Sequence, residues 1–234
     1  MKIALLGYGK MGQIIERIAL ERGHKIVLKK SSKNTFKGIK NADVAIDFSL
    51  PSVALKNITN SLENDVPTIS GTTGWLNDYN KVISLCTEKK GAFLYASNFS
   101  LGVNLFFELN AQLAKLMAPY SEYKTEIEEI HHTQKLDAPS GTAITLAEQV
   151  IKETNYTNWK LDDNTTADLP IFAKRIDKVP GTHSIKYNSS VDEIEIKHTA
   201  HNREGFALGA VIAAEWIANK KGVFNMKDVL KNNI

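Results

Sequence analysis

The hydrophobic positions of the first hundred residues switch between two periods. Residues 3–6 form a short continuous apolar run. After it Met11, Ile14, Ile15, Ile18 and Ala19 recur at helical spacing until Arg22-Gly23 closes the segment. A second strand is expected at residues 25–28, then a polar loop over 29–38 and a buried-type strand over 44–48. Ser49 followed by Pro51 reads as a helix start, with Val53, Ala54 and Ile58 facing inward. Residues 68–70 and 92–95 are the fourth and fifth strands, separated by a helix whose apolar face holds Tyr79, Val82, Ile83 and Cys86. Short apolar strands interleaved with amphipathic helices predict a parallel sheet covered on both faces.

After Asn98 the pattern changes. A longer helix is expected over 103–117, stopped by Ala118-Pro119. A charged, partly alternating segment over 123–131 follows, then a loop and a helix at about 142–153. Residues 155–182 read as polar and irregular. Ile194, Ile196 and His198 alternate with Glu195, Lys197 and Thr199, as on a strand with one wet face. This is α+β patterning and implies a second domain. Residues 206–219 form an apolar, Ala-rich helix with Trp216, which returns to complete the helical layer of the first domain.

Composition adds mainly exclusions. The 234 residues are 43% hydrophobic and 24% charged, with a net charge of +3. That is globular material for one or two domains. The lysines are scattered among acids and form no basic stripe, which argues against a nucleic-acid partner. A single cysteine, Cys86, excludes an intramolecular disulfide and fits a reducing compartment. The N-terminal apolar run stops at Gly7, too short for a membrane span and without a signal-peptide cleavage pattern, so a cytoplasmic location is expected.

Gly7-Tyr8-Gly9-Lys10-Met11-Gly12 matches G-x-G-x-x-G after a strand and at a helix start, the context a dinucleotide-binding loop requires. Gly7 permits the tight turn, Gly9 lets a pyrophosphate approach the backbone, and Gly12 allows close helix–strand packing. The bland reading is a glycine-rich turn without a ligand. An acidic residue for the adenine ribose is expected about twenty positions on. Here the second strand runs into Lys29-Lys30-Ser31-Ser32-Lys33 with no carboxylate. Ammonium groups and hydroxyls at Lys30 and Ser31 suit a 2′-phosphate, so NADPH is expected to serve at least as well as NADH. The alternative is that these lysines only solvate a loop.

The second chemical signal lies between Glu129 and Ala143. It combines a strand end with two imidazoles, His131 and His132, a loop with the amine of Lys135, and a helix start at Pro139-Ser140-Gly141-Thr142. Small and hydroxylic residues there leave backbone N–H groups open to a carboxylate or phosphate. Histidine is the side chain best suited to move a proton near neutral pH, and Lys135 adds positive charge or a second proton. Metal binding is disfavoured, because adjacent strand residues point to opposite faces and no Cys or third His sits at ligand spacing. Ser140 lies outside a G-x-S-x-G elbow, which favours anion binding over nucleophilic attack. Cys86 reads as core, and His24, His183, His198 and His201 as ordinary surface or strand histidines.

The run His131-His132-Thr133-Gln134-Lys135-Leu136-Asp137-Ala138-Pro139-Ser140-Gly141-Thr142-Ala143 resembles the signature of the dihydrodipicolinate reductase family of lysine and diaminopimelate biosynthesis. Supporting matches are the glycine loop, Asp47-Phe48-Ser49, Gly71-Thr72-Thr73-Gly74-Trp75, and the run from Ala96 to Asn104. Gly181-Thr182-His183 and Arg203 with Phe206 also match, so the likeness spans nearly the whole chain. The resemblance implies an α/β fold. A Rossmann-like, parallel-sheet dinucleotide-binding domain would comprise residues 1–100 and 203–234. A smaller α+β domain with an open sheet, over 101–202, would serve substrate binding and oligomerisation. It further implies hydride addition from NAD(P)H to a cyclic imine dicarboxylate, no metal, and a homotetramer. His131 and Lys135 would handle protons, and His132, Ser140, Gly141 and Thr142 would hold the substrate carboxylates. Gly71, Thr72, Thr73, Ala96, Ser97, Asn98, Phe99, Arg203 and Phe206 would line the cofactor. Against the family pattern the chain is short, lacks the ribose acid, and has Asp177 where a glycine is common after Arg175. A related two-domain dehydrogenase and a nucleotide sensor without turnover are the competing readings. The first lacks the His-His-to-Thr run, and the second has no use for an intact proton-donor set.

Overall fold

The apolar runs of the first hundred residues become strands of one parallel sheet, in a computed structural model that describes residues 1–164 and 167–231. The chain divides into two units: Met1–Asn104 with the chain from Glu204 onward, and Leu105–Arg203. Residues 232–234, at the end of the expected nucleotide-binding domain, and 165–166, in the stretch expected to be irregular, lie outside the described residues.

The first unit contains β1 (Lys2–Leu6), α1 (Lys10–Glu21), β2 (Lys25–Lys30), β3 (Val44–Asp47), α2 (Pro51–Glu63), β4 (Thr68–Ser70), α3 (Tyr79–Glu88) and β5 (Ala92–Tyr95). Helix α4 (Leu101–Met117) begins in it, and α6 (Glu204–Ile217), β11 (Gly222–Phe224) and α7 (Met226–Lys231) complete it. The sheet order is β11-β5-β4-β3-β1-β2, with every pairing parallel. This is the doubly wound, Rossmann-like plan. The chain leaves β1 toward β2 and then crosses to β3 on the other side, so a crevice opens beyond the carboxyl ends of β1 and β3.

Helix α6 is apolar on nearly every side because it is buried on nearly every side. Ala207, Ala210, Val211, Ala213, Ala214 and Ile217 are buried in one core cluster with Ile15 and Ile18 of α1 and Ile3, Leu5, Val44 and Ile46 of the sheet. Helices α2 and α3 cover the other face through Ala54, Ile58, Leu62, Val82 and Cys86 against Phe93. Val53 departs from the sequence reading: it is 39% exposed, because α2 starts at Pro51 after a Leu50 cap and its inward stripe runs through Ala54 and Ile58. Strand β11 is not among the expected elements; three residues carry too little periodicity.

The second unit builds a mixed sheet from β6 (Lys124–His131), β7 (Trp159–Leu161), β8 (Leu169–Arg175), β9 (Gly181–Asn188) and β10 (Glu193–Ala200), in the order β10-β9-β6-β8-β7. Helix α5 (Gly141–Glu153) lies between β6 and β7 in the chain. Leu146, Ala147 and Val150 of α5 pack with Phe106 and Ala114 of α4 on Ile127, Ile171, Ile185 and Tyr187 of the sheet. Strands β7 and β8 and the start of β9 occupy the stretch read as irregular. Strand β9 is buried from Gly181 through Ile185 although three of those residues are Thr, His and Ser, so its burial comes from its neighbours and not from its own hydrophobicity. Among the described residues, no helix is long and apolar enough to cross a membrane.

Candidate active site

At the carboxyl end of β1, Gly7 adopts a φ of +100° and a Cβ there would lie 2.1 Å from the Phe48 carbonyl oxygen. A Cβ on Gly12 would lie 2.4 Å from the Gly7 oxygen. Both are glycines because the backbone leaves no alternative. Gly9 is different: nothing lies within 4 Å of its Cβ position, so the fold itself does not demand glycine there. Its bare backbone is open to close approach from outside. Gly9 also caps α1, with no side chain bonded to the first turn, so the N–H groups of Lys10, Met11 and Gly12 face outward without intrahelical partners. This space and these donors fit a pyrophosphate.

Met11, Gly71, Thr72 and Thr73 line an adjoining cavity of about 200 Å³, together with Phe48, Ser49 and Pro51, to which the sequence reading assigns no role. The loops around it are tied by Asp47. This fully buried carboxylate accepts hydrogen bonds from Ser49 Oγ (2.7 Å), Asn57 Nδ2 (2.9 Å), Ser70 Oγ (2.9 Å) and Thr72 Oγ1 (2.7 Å). Burial pushes its pKa up, against the pull of those four donors. The Thr72 hydroxyl is therefore committed to the protein. The Phe99 ring is also internal, 1% exposed and 5.6 Å from the Phe48 ring centre, so only its backbone is open to a ligand role.

Ala96 and Asn98 are half-buried and Ser97 exposed beyond β5, and Phe206 is half-buried near the start of α6. Arg203 is exposed and is the last residue of the second unit. Tyr8 donates to Glu16, which also pairs with Lys29 at 2.6 Å. Lys30 donates to the Ser31 carbonyl and sits over the Phe36 ring. The Ser31 N–H donates to Asn34 Oδ1 at 2.6 Å, which folds the turn after β2.

In the second unit the strand alternation of β6 puts Glu129 and His131 on its buried face, and His132 follows the strand end, half-buried. Sheet register sets Glu129 opposite His183 of β9, and His131 opposite Arg175 of β8. Glu129 is completely buried. Its Oε2 accepts the Ser140 N–H at 2.9 Å, and its Oε1 accepts from Arg175 Nη2 at 3.0 Å. Arg175 also donates to the Asp137 carbonyl at 2.7 Å. Ser140 caps α5: its Oγ accepts the Ala143 N–H at 3.2 Å and bonds His183 Nε2 at 3.1 Å. The N–H groups of Gly141 and Thr142 follow at the helix start, and nothing lies within 4 Å of a Cβ position on Gly141. Lys135 grips Asp137 through both carboxylate oxygens at 2.7 Å, and this holds the Asp137 pKa below the usual carboxylate range.

The site therefore gathers His131, Lys135, Ser140, Gly141 and Thr142 within one unit, and adds Glu129, Arg175 and His183. Burial lowers the His131 pKa. Glu129 opposes that shift, Lys135 and Arg175 reinforce it, and Asp137 opposes it more weakly. His183 is depressed to about 3 by burial and by His131, His198 and Lys135. Both rings are neutral at neutral pH.

Glu129, His131 and His183 bring donor atoms within 4.8 Å of one another, a grouping created by strand pairing that no sequence spacing reveals. The Arg175 guanidinium already occupies one oxygen of the carboxylate and the Ser140 amide the other, which favours an acid–base cluster over a cation site. Glu129 had a readable signal, two positions from His131 on a strand. His183, which reads as an ordinary strand histidine, had none beyond the Gly181-Thr182-His183 match.

Family models described as dihydrodipicolinate reductase, N-terminus and C-terminus, match residues 1–99 and 102–230. The chain is 55% identical over 235 residues to the 4-hydroxy-tetrahydrodipicolinate reductase of Christiangramia forsetii, covering 99% of this chain and 98% of that protein. It is 33% identical to the enzyme of that name from Archaeoglobus fulgidus, over 99% and 100% of the two chains. The dipicolinate-bound dihydrodipicolinate reductase of Paenisporosarcina sp. TG-14 shares the fold, with a TM-score of 0.76 at 22% identity over 96% of this chain and 97% of that one.

Two outcomes follow from this geometry. Gly9→Val keeps the wild-type melting temperature and weakens nucleotide binding, whereas Gly12→Val lowers the melting temperature, because only the second Cβ meets backbone. Calorimetry with a nucleotide titration checks both, and a destabilised Gly9→Val with normal affinity contradicts the assignment. The second outcome concerns His183, whose pKa is about 3 in the folded protein against 6.5 for an unperturbed imidazole. Between those values the unfolded chain binds more protons, so stability is lost as pH falls through that window. His183→Gln loses less between neutral pH and about pH 4 in urea unfolding; equal losses in the two proteins contradict the burial of a neutral ring.

Proposed function

The chain belongs to the dihydrodipicolinate reductase family, and on that premise we propose that it reduces 4-hydroxy-tetrahydrodipicolinate to tetrahydrodipicolinate with NAD(P)H. The reaction serves lysine and diaminopimelate biosynthesis. One hydride and one proton enter the substrate and its hydroxyl leaves as water, which balances the two formulas. NAD(P)H, when bound, supplies the hydride. Gly7, Tyr8, Gly9, Lys10, Met11 and Gly12 hold its pyrophosphate, and Gly71, Thr73 and the backbone from Ala96 to Phe99 line its other end, with Arg203 and Phe206. Support comes from the space at Gly9 and the uncapped start of α1.

The substrate is a dianion, so it needs donors and positive charge on the protein side. The N–H groups of Gly141 and Thr142, the Ser140 cap and His132 supply the donors, and Lys135 the charge. Departure of hydroxide and completion of the reduction both call for a proton source. His131, neutral and buried at rest, takes up a proton from solvent on its open ring nitrogen and delivers it as the imidazolium, and Lys135 is the second donor once the substrate carboxylate competes with Asp137 for its ammonium group. The observation that carries this reading is the sharing of one carboxylate, Glu129, between the imidazole of His131 and Ser140, the cap of α5.

NADPH serves at least as well as NADH, since β2 ends in Lys30, followed by Ser31, with no carboxylate to bind a ribose diol or repel a 2′-phosphate. The protein works in the cytoplasm as a homotetramer, assembled through the sheet of the second unit. Loss of nicotinamide absorbance, with the dihydrodipicolinate synthase reaction as the source of substrate, tests the activity with each cofactor. Turnover with both, and no NADH advantage, is expected; cofactor binding without turnover sinks the reading. His131→Ala and Lys135→Ala each lower kcat by about 10²–10⁴-fold, the usual contribution of a positioned proton donor, and leave nucleotide affinity unchanged. Near-normal kcat in both variants removes them from the proton path.

A further inference from the structure

Glu129 ties the proton-handling imidazole to the helix start in the reading above, and its contacts define what it does for that imidazole. The carboxylate is inaccessible to solvent and sits two residues before His131 on the same face of β6. Its Oε2 lies 2.9 Å from the Ser140 nitrogen, 3.5 Å from His131 Nδ1 and 3.8 Å from His183 Nε2. Its Oε1 holds Arg175 at 3.0 Å. His131 Nδ1 is buried and has no hydrogen-bond partner, so the neighbouring carboxylate is the acceptor that a proton on Nδ1 would face. Across the ring, Nε2 lies against Gly181, where a Cβ would stand 3.1 Å away; the absence of a side chain there leaves that edge of the imidazole uncrowded.

We propose that Glu129 is a positioning residue that keeps the proton of neutral His131 on Nδ1 and reserves Nε2 for exchange with the substrate, while the same oxygen fixes the Ser140 amide at the start of the anion-binding helix. A histidine is oriented by what its second nitrogen bonds, and a carboxylate at that nitrogen also stabilises the imidazolium that forms during proton transfer. The charges facing His131 are Glu129 from its own strand, Lys135 and Asp137 from the loop after it, Arg175 from β8 and the neutral His183 ring from β9. Two cations drive its proton off and two carboxylates hold it on, with Glu129 the stronger of the two holders. Removing the Glu129 charge leaves only the weaker Asp137 to oppose the two cations. The proposal rests on the reductase reading, and its test separates the two.

Glu129→Gln keeps the side-chain shape and an oxygen for the Ser140 amide but loses the charge. In the reductase assay it lowers kcat by about 10²-fold or more with the KM for nucleotide unchanged. The alkaline limb of its kcat–pH profile moves about one unit or more toward acid, because the protonated ring is no longer held by an adjacent anion. Glu129→Asp, which restores the charge, moves that limb back toward the wild-type position. A Glu129→Gln enzyme with wild-type kcat and pH profile overturns the proposal while leaving the reductase reading intact; a wild-type chain without turnover sinks both. The ring ¹⁵N shifts of His131 in the wild-type protein give a readout independent of activity and of how the variants fold. A protonated Nδ1 with a bare Nε2 is expected, and the opposite tautomer overturns the proposal.

Discussion

A carboxylate sealed from water must be solvated by protein, and at Glu129 that requirement organises the site end of the second unit. Its partners come from separate pieces of chain: the Ser140 amide at a helix start, the Arg175 guanidinium on β8, and the imidazoles of His131 and His183 on β6 and β9. None of these pieces can shift without leaving a buried charge exposed to an apolar surrounding, a loss of about 3–5 kcal/mol when one partner of such a pair is removed. Arg175 extends the constraint by holding the Asp137 carbonyl, and Asp137 in turn holds the Lys135 ammonium group. A loop that would otherwise drift is thus referenced at three points to one carboxylate.

The first unit solves a similar problem with different chemistry. Asp47, at the carboxyl end of β3, is equally buried but is surrounded by three hydroxyls and one amide, with no cation among its hydrogen-bond donors. Those donors sit on the loop after β3, on α2, at the end of β4 and in the loop after β4, so the carboxylate sets the rim of the crevice where a nucleotide is expected. Neutral donors suffice where the task is to hold loops still. Beside His131, where proton transfer is proposed, the carboxylate is balanced by a guanidinium and faces titratable rings. The glycines divide in a matching way: Gly7 and Gly12 answer to backbone crowding, while Gly9 and Gly141 border open space at helix starts.

Much of this was legible in the sequence, for local reasons. The glycine loop, the five short strands and their helices follow from periodicity and punctuation within windows of a dozen residues. The same holds for the helix start at Pro139-Ser140-Gly141-Thr142, which Ser140 caps. What escaped was non-local. Strand β9 is buried by its neighbours despite its polar residues, and β7 and β11 are three residues each. His183 becomes part of the site only because antiparallel pairing sets it opposite Glu129, and Arg175 because parallel pairing sets it beside His131. Phe99 fell on the other side of the same line: its position beyond β5 was readable, but the turn of its ring into the core was not.

The central claim is that the proton-handling imidazole and the open helix start act on one dicarboxylate. The most direct measurement is a crystal structure of the protein with NADPH and pyridine-2,6-dicarboxylate, an aromatic analogue of the substrate. The account predicts one carboxylate of the analogue within hydrogen-bond distance of the Gly141 and Thr142 amides, with its ring beside His131. A dicarboxylate bound elsewhere, or one held at the helix start with its ring turned away from His131, contradicts it.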